Sequence, residues 1–91
     1  SYPYEEMKFT CPDALKFKVN EYLTEFFSSR GYKVETIDGV KIWLDGGWVL
    51  LRPSNTQPVM RMFVEAMDNS GLEKIKSEFR SYFDDAVRAI S

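Results

Sequence analysis

Apolar periodicity divides the chain into seven segments. The stretch Glu5-Glu6-Met7-Lys8-Phe9-Thr10 alternates weakly, which predicts a strand with one covered face. Cys11-Pro12-Asp13 then has the chemistry of a helix start, since a proline fits the first turn and an acid suits the positive end of the helix dipole. In the following stretch Leu15, Val19, Leu23 and Phe26, with Tyr22 and Phe27, recur at three- and four-residue spacing, while Lys16, Lys18, Glu21 and Glu25 fall mainly on other faces. Tyr22, Phe26 and Phe27 are expected in the core. Ser28-Ser29-Arg30-Gly31 ends it, with Gly31 suited to a left-handed cap.

Beyond Gly31 the period drops to two. Tyr32 to Ile37 alternates and runs into Asp38-Gly39, a hairpin signal because both residues tolerate positive φ. Val40 to Leu44 returns as the partner strand, with Val40, Ile42 and Leu44 on one face. Asp45-Gly46-Gly47 turns again, and Trp48 to Pro53 and Val59 to Ala66 complete a meander of four antiparallel strands. Ser70-Gly71-Leu72-Glu73 has the pattern of a capping box. Leu72, Ile75, Phe79, Tyr82, Phe83, Ala86, Val87 and Ile90 then form the apolar stripe of a closing helix. The expected order is β-α-β-β-β-β-α, with one strand fewer if Tyr32 to Ile37 is irregular. The fold class is therefore α+β: a two-layer sandwich of four to five antiparallel strands with two helices on one face.

Length and composition narrow the possibilities. Ninety-one residues suit one small domain, 1–91, and no window is apolar for long enough to span a membrane. The first residues have neither the basic start nor the apolar centre of a signal peptide, so a soluble, cytoplasmic protein is expected. Cys11 is the one cysteine and histidine is absent, which excludes a structural zinc site in practice. Cys11 reads as a buried residue at a helix start, with no basic neighbour evident from the sequence. A net charge of −2 argues against non-specific nucleic-acid binding, which needs clustered Lys and Arg.

The candidate chemistry lies between the last two strands, in Arg52-Pro53-Ser54-Asn55-Thr56-Gln57-Pro58. Arg52 offers a planar donor fork, Ser54 and Thr56 hydroxyls, and Asn55 an amide; the backbone N–H groups of Ser54 to Gln57 are free of a ladder if the segment is a loop. Such donors suit an oxyanion, above all a phosphate. From Gly46 to Val64 there is no acidic residue, while Arg52 and Arg61 supply positive charge. An ordinary polar turn is the competing reading. Period two places Trp48, Leu50 and Arg52 on one face of their strand and Val59, Arg61, Phe63 and Glu65 on one face of the next. If those faces coincide, Arg61 adds to the field beside Arg52.

The loop and the Val59-Met60-Arg61-Met62-Phe63-Val64-Glu65-Ala66 strand after it resemble the phosphate-binding region in the C-terminal domain of the alpha-D-phosphohexomutases. Asp38-Gly39 to Ile42 and Asp45 to Arg52 resemble that family's preceding hairpin. The resemblance implies a TATA-binding-protein-like sheet and helix arrangement. It also implies that Arg52, Ser54, Asn55 and Thr56, with Arg61 nearby, grip the non-reacting phosphate of a phosphosugar substrate. Phosphoserine and Mg2+ would come from earlier domains, leaving no catalytic residue, metal or cofactor in this one and making the preceding domains its partners. The family usually has an acid where Gln57 stands, and Asn55 looks more like phosphoglucomutase/phosphomannomutase members than phosphoglucosamine mutases. A phosphoglucosamine mutase domain is the alternative within the family. Outside it stand a protein-interaction module using Trp43 or Trp48, and a sheet-based nucleic-acid binder.

Overall fold

The structure, a computed structural model, describes residues 2–91. Its elements are β1 (Tyr4–Thr10), α1 (Asp13–Ser29), β2 (Lys33–Glu35), β3 (Val40–Leu44), β4 (Gly47–Pro53), β5 (Val59–Ala66) and α2 (Asn69–Ile90). The strands form one sheet in the order β1-β5-β4-β3-β2, every neighbouring pair antiparallel. Hairpin connections explain the run from β2 to β5. The first strand joins from the far side, pairing along its whole length with β5 from Tyr4↔Glu65 to Thr10↔Val59. Because β1 and β2 occupy opposite edges, α1 crosses the sheet between them, and α2 packs beside it.

Alternation decides which residues meet the helices. Val40 and Ile42, Val49 and Leu51, and Met60, Met62 and Val64 are fully buried against Val19, Leu23 and Phe27 of α1 and Phe79 and Phe83 of α2. The opposite set, including Trp48, Leu50, Arg52, Arg61 and Phe63, faces away from the helices. Register pairs Arg52 with Arg61, Leu50 with Phe63 and Trp48 with Glu65, so the two faces inferred from parity coincide. The α+β two-layer expectation holds, with five strands.

Local details depart from expectation at three places. The strand expected over Tyr32 to Ile37 contracts to Lys33–Glu35, because pairing with β3 supports only three register positions and Ile37 is 88% exposed in the turn. Helix α2 is capped by Asp68, whose Oδ1 accepts from the Gly71 N–H at 2.7 Å, and Ser70 lies inside the helix. Asp68 follows the end of β5 closely, so the helix begins before the Ser70 box can act. Tyr22 is 36% exposed and stacks on Phe26 at 6.2 Å, placing it at the rim of the core where the helix turns toward solvent.

The end of α1 follows its glycine. Gly31 adopts φ +82°, the Tyr32 N–H donates to the Phe27 carbonyl and the Gly31 N–H to the Ser28 carbonyl. That pair of bonds is a Schellman closure, and the Tyr32 ring packs edge-on against Phe27 at 5.1 Å to complete it.

Candidate anion-binding site

The β4–β5 connection closes at its base: the Ser54 N–H donates to the Val59 carbonyl at 3.0 Å. Within it, the Ser54 hydroxyl oxygen accepts from the N–H groups of Thr56 at 3.2 Å and Gln57 at 3.0 Å. Three of the four loop amides expected to be uncommitted are therefore already bonded, because a short polar loop satisfies its own backbone through the serine side chain. The Asn55 N–H and side chain and the Thr56 hydroxyl have no hydrogen-bond partner among the described residues, and both residues are exposed. The Ser54 hydroxyl proton has no acceptor among the described residues, while the oxygen's lone pairs shape the bend.

All five residues singled out from the sequence come together. Arg52, Ser54, Asn55, Thr56 and Arg61, with Pro53 and Asp38, line a single concavity of about 270 Å³ on the face away from the helices. The arginines are cross-strand partners with side chains 31% and 34% exposed, so each guanidinium is partly desolvated yet reachable. Beneath them lies Phe63, largely buried, with the Arg52 guanidinium 4.9 Å and the Arg61 guanidinium 5.2 Å from its ring centre. The ring attracts both cations and holds like charges side by side that would otherwise splay.

The acid-free stretch of sequence does not make an acid-free site. Asp38 Oδ2 accepts from Arg52 Nη1 at 3.0 Å, and Glu6 Oε2 accepts from Arg61 Nε at 2.9 Å and also from Nη2. These carboxylates arrive from the β2–β3 turn and from β1, far away in sequence. Asp38 sits at φ +58° and Gly39 at +109°. A Cβ on Gly39 would stand 2.5 Å from the Leu51 carbonyl oxygen, so only glycine allows the turn to lie against β4 and deliver Asp38 to Arg52.

Lys16, which helical periodicity puts on a polar face, is 4% exposed, with its ammonium donating to Asp13 Oδ1 at 2.8 Å and to the Gln57 carbonyl at 3.0 Å. Beside it the Cys11 N–H donates to the Pro58 carbonyl at 2.8 Å. The corner between β1 and α1 thus holds the trailing end of the loop. Cys11 is fully buried, as expected of it, but it does have a cationic neighbour: burial pushes its thiol pKa up, and Lys16 only partly offsets that. Gln57, where the resembling family has an acid, contributes main-chain groups to this anchoring.

Among the described residues there is no group of three or more His, Cys, Asp or Glu placed to hold a metal ion, and no helix long and apolar enough to cross a membrane. Trp43 and Trp48 lie on the same sheet face as the arginines, half-buried, with the Lys41 ammonium 4.1 and 4.5 Å from their ring centres.

Fold and site together describe a class: a two-layer α+β domain that presents an arginine-bordered polar loop from its open sheet face. The particular family follows from comparison with known proteins. Residues 6–81 match the model of the phosphoglucomutase/phosphomannomutase C-terminal domain, and the chain belongs to that family. It is 38% identical over 79 residues to a probable phosphoglucosamine mutase of Methanopyrus kandleri, covering 87% of this chain and 18% of that protein. It is 36% identical over 91 residues to a phosphoglucosamine mutase of Methanocaldococcus jannaschii, covering 99% of this chain and 20% of the relative. A phosphoglucomutase/phosphomannomutase of Thermococcus kodakarensis is 37% identical over 68 residues, covering 75% of this chain and 13% of the relative. The crystal structure of a phosphoglucomutase/phosphomannomutase family protein from Burkholderia thailandensis superposes with a TM-score of 0.70 at 26% identity, over 94% of this chain and 18% of that one. The chain thus spans between about an eighth and a fifth of the length of these relatives.

Proposed function

We propose that residues 1–91 form one domain that holds the phosphate of a phosphosugar for a multi-domain phosphohexomutase, an enzyme interconverting hexose 1-phosphates and 6-phosphates in the cytoplasm. The observation that supports this most is the meeting of Arg52 and Arg61 across two strands, at the mouth of a concavity that also gathers Ser54, Asn55 and Thr56. Two guanidiniums and several neutral donors around one hollow suit a dianion with three terminal oxygens. Phosphoryl transfer depends chiefly on positioning and charge stabilisation, so a domain that fixes the non-reacting phosphate contributes by orienting the other end of the sugar. The phosphoserine and Mg2+ would belong to preceding domains of the same polypeptide, and this domain alone would bind without turning over.

Relatives named as phosphoglucosamine mutases favour a second substrate reading, a hexosamine phosphate, over the preference drawn from Asn55. Both readings use the same phosphate grip. The other classes are less well supported. The cations of the open face alternate with Glu6, Glu35 and Glu65 rather than forming the continuous basic surface a nucleic acid needs. A protein-interaction module would find an aromatic patch here, since the exposed Tyr4 packs on Trp48, but Lys41 lies over both indoles and that reading gives the donors around Arg52 no role.

A titration of the isotope-labelled chain with glucose 6-phosphate tests the reading. Shifts should centre on Arg52 to Gln57 and Arg61 and vanish in Arg52→Ala; shifts elsewhere, or none, would remove the phosphate site from this loop. In the full-length enzyme the same substitution should lower kcat/KM by roughly ten- to a hundredfold or more, the loss of charge-assisted hydrogen bonds to the substrate. Replacing Ser54 or Thr56 alone should cost less.

A further inference from the structure

Resting on that reading, we propose that Asp38 is a place-holding anion: its carboxylate occupies one edge of Arg52 until a phosphate ester arrives, and so weakens the grip enough for the ester to leave. The two carboxylates at the site differ in ways that separate their roles. Glu6 takes Arg61 through both Nε and Nη2, and each side chain is 34% exposed, so the pair is fixed and half shielded. Asp38 takes Arg52 through Nη1 alone and is 67% exposed. A single solvent-exposed contact of that kind is easily exchanged. Asp38 is also the carboxylate that lines the concavity itself, with Arg52, Ser54, Asn55 and Thr56, whereas Glu6 approaches Arg61 from β1 without lining it.

The turn sets Asp38 beside Arg52. With φ +58° at Asp38, and Gly39 packed so closely on β4 that a Cβ would meet the Leu51 carbonyl, the turn lies directly against Arg52 and the Asp38 side chain can exchange by swinging. A dianion entering the hollow meets this negative charge within a few ångströms. Its binding must displace the carboxylate and then tolerate it as a neighbour, both of which reduce affinity. That reduction suits a site that must release its ester in every reaction cycle. No stretch of sequence beside the loop announces it, because the acid is fourteen residues away from Arg52.

The test is the sign of an affinity change. Asp38→Asn removes the charge while keeping a residue that accepts positive φ, and Asp38→Gly removes the side chain at a conformation glycine adopts freely. Glucose 6-phosphate is titrated into the labelled 91-residue chain and both variants, with amide dispersion checking that each variant remains folded. Both variants should bind roughly three- to tenfold more tightly than the parent chain, the size expected for removing one exposed charge near a dianion. Asp38→Glu should return the affinity to within about twofold of the parent value. If both folded variants bind equally or more weakly while the parent still binds through Arg52, Asp38 is a support for Arg52 and the proposal is overturned. If the parent chain shows no Arg52-dependent binding, the phosphate grip fails and this proposal with it, an outcome the Arg52→Ala control separates from the first.

Discussion

A lysine whose ammonium lies beneath the surface needs partners, since moving an unpaired charge out of water is prohibitively costly. Lys16 has two, Asp13 and the carbonyl of Gln57, and the second ties helix α1 to the loop that borders the arginines. Helical side chains lean toward the N-terminus, which carries Lys16 back over the first turn to the loop. Lys16→Met keeps most of the stem and removes the amine, leaving the Gln57 carbonyl without that donor. A loss of roughly 1–3 kcal/mol is expected for one unmade buried bond, which for a chain of this size lowers Tm by at least about 4 °C. Calorimetry measures that, and hydrogen exchange at Thr56 and Gln57 should quicken, because their bonds to Ser54 lose the anchor behind them. An unchanged exchange rate at both amides would mean that the Cys11–Pro58 bond alone holds the loop. Helical periodicity placed Lys16 outward because it scores a side chain by type. The reach of a long side chain to a distant backbone oxygen leaves no periodic trace.

Secondary structure was readable wherever one local signal had no rival. Gly31 ended α1, Asp38-Gly39 made the β2–β3 turn, and alternation grouped Trp48, Leu50 and Arg52 on one face of β4 and Arg61, Phe63 and Glu65 on one face of β5, apart from Val49 and Met62, which the structure buries against the helices. Ambiguity arose where two signals overlapped. Asp68 and Ser70 both suit an N-cap, and the structure uses Asp68, while Glu73 bonds Lys76 instead of reaching back. Substitution at each therefore discriminates. Asp68→Ala should cost about 1 kcal/mol, as a lost N-cap does, and lower Tm by roughly 4–8 °C. Ser70→Ala, inside the helix, should leave Tm nearly unchanged, and a larger fall for Ser70 than for Asp68 would reverse the assignment. The edge position of β1 was less legible for a different reason. Its alternation says which side is covered but not which neighbour it pairs with, and pairing with β5 is a long-range choice made by the whole sheet. The acids opposite Arg52 and Arg61 were hidden in the same way, since one arrives with β1 and the other on the β2–β3 turn.

At the scale of the whole molecule, the open sheet face gathers hydrogen-bond donors and cations around one concavity. Three separate parts converge on the β4–β5 loop: the β1–α1 corner through Cys11 and Lys16, the β2–β3 turn through Asp38, and β1 through Glu6. Each bond constrains position, and the site gathers hydroxyls, amides, guanidiniums and two carboxylates. Moving a phosphoryl group needs more than a held anion: an activated nucleophile in line with the phosphorus, and cations that neutralise charge as it spreads over the transferring oxygens. Arg52 and Arg61 would answer part of the second need; as to the first, the Ser54 hydroxyl oxygen is engaged by two amides, and Asp38, the carboxylate that lines the concavity, is taken by Arg52. The expected outcome is therefore binding without turnover. Incubated with glucose 1-phosphate, glucose 1,6-bisphosphate and Mg2+, the chain should form no glucose 6-phosphate above the enzyme-free rate, while glucose 6-phosphate still shifts the Arg52 to Gln57 resonances. Turnover that survived repurification and disappeared in Ser54→Ala would place a nucleophile in this loop and require a different division of labour. Loss of the shifts with added salt, from about 20 to 200 mM, should accompany the inactive result, because two partly exposed guanidiniums attract a dianion through a field that ions screen.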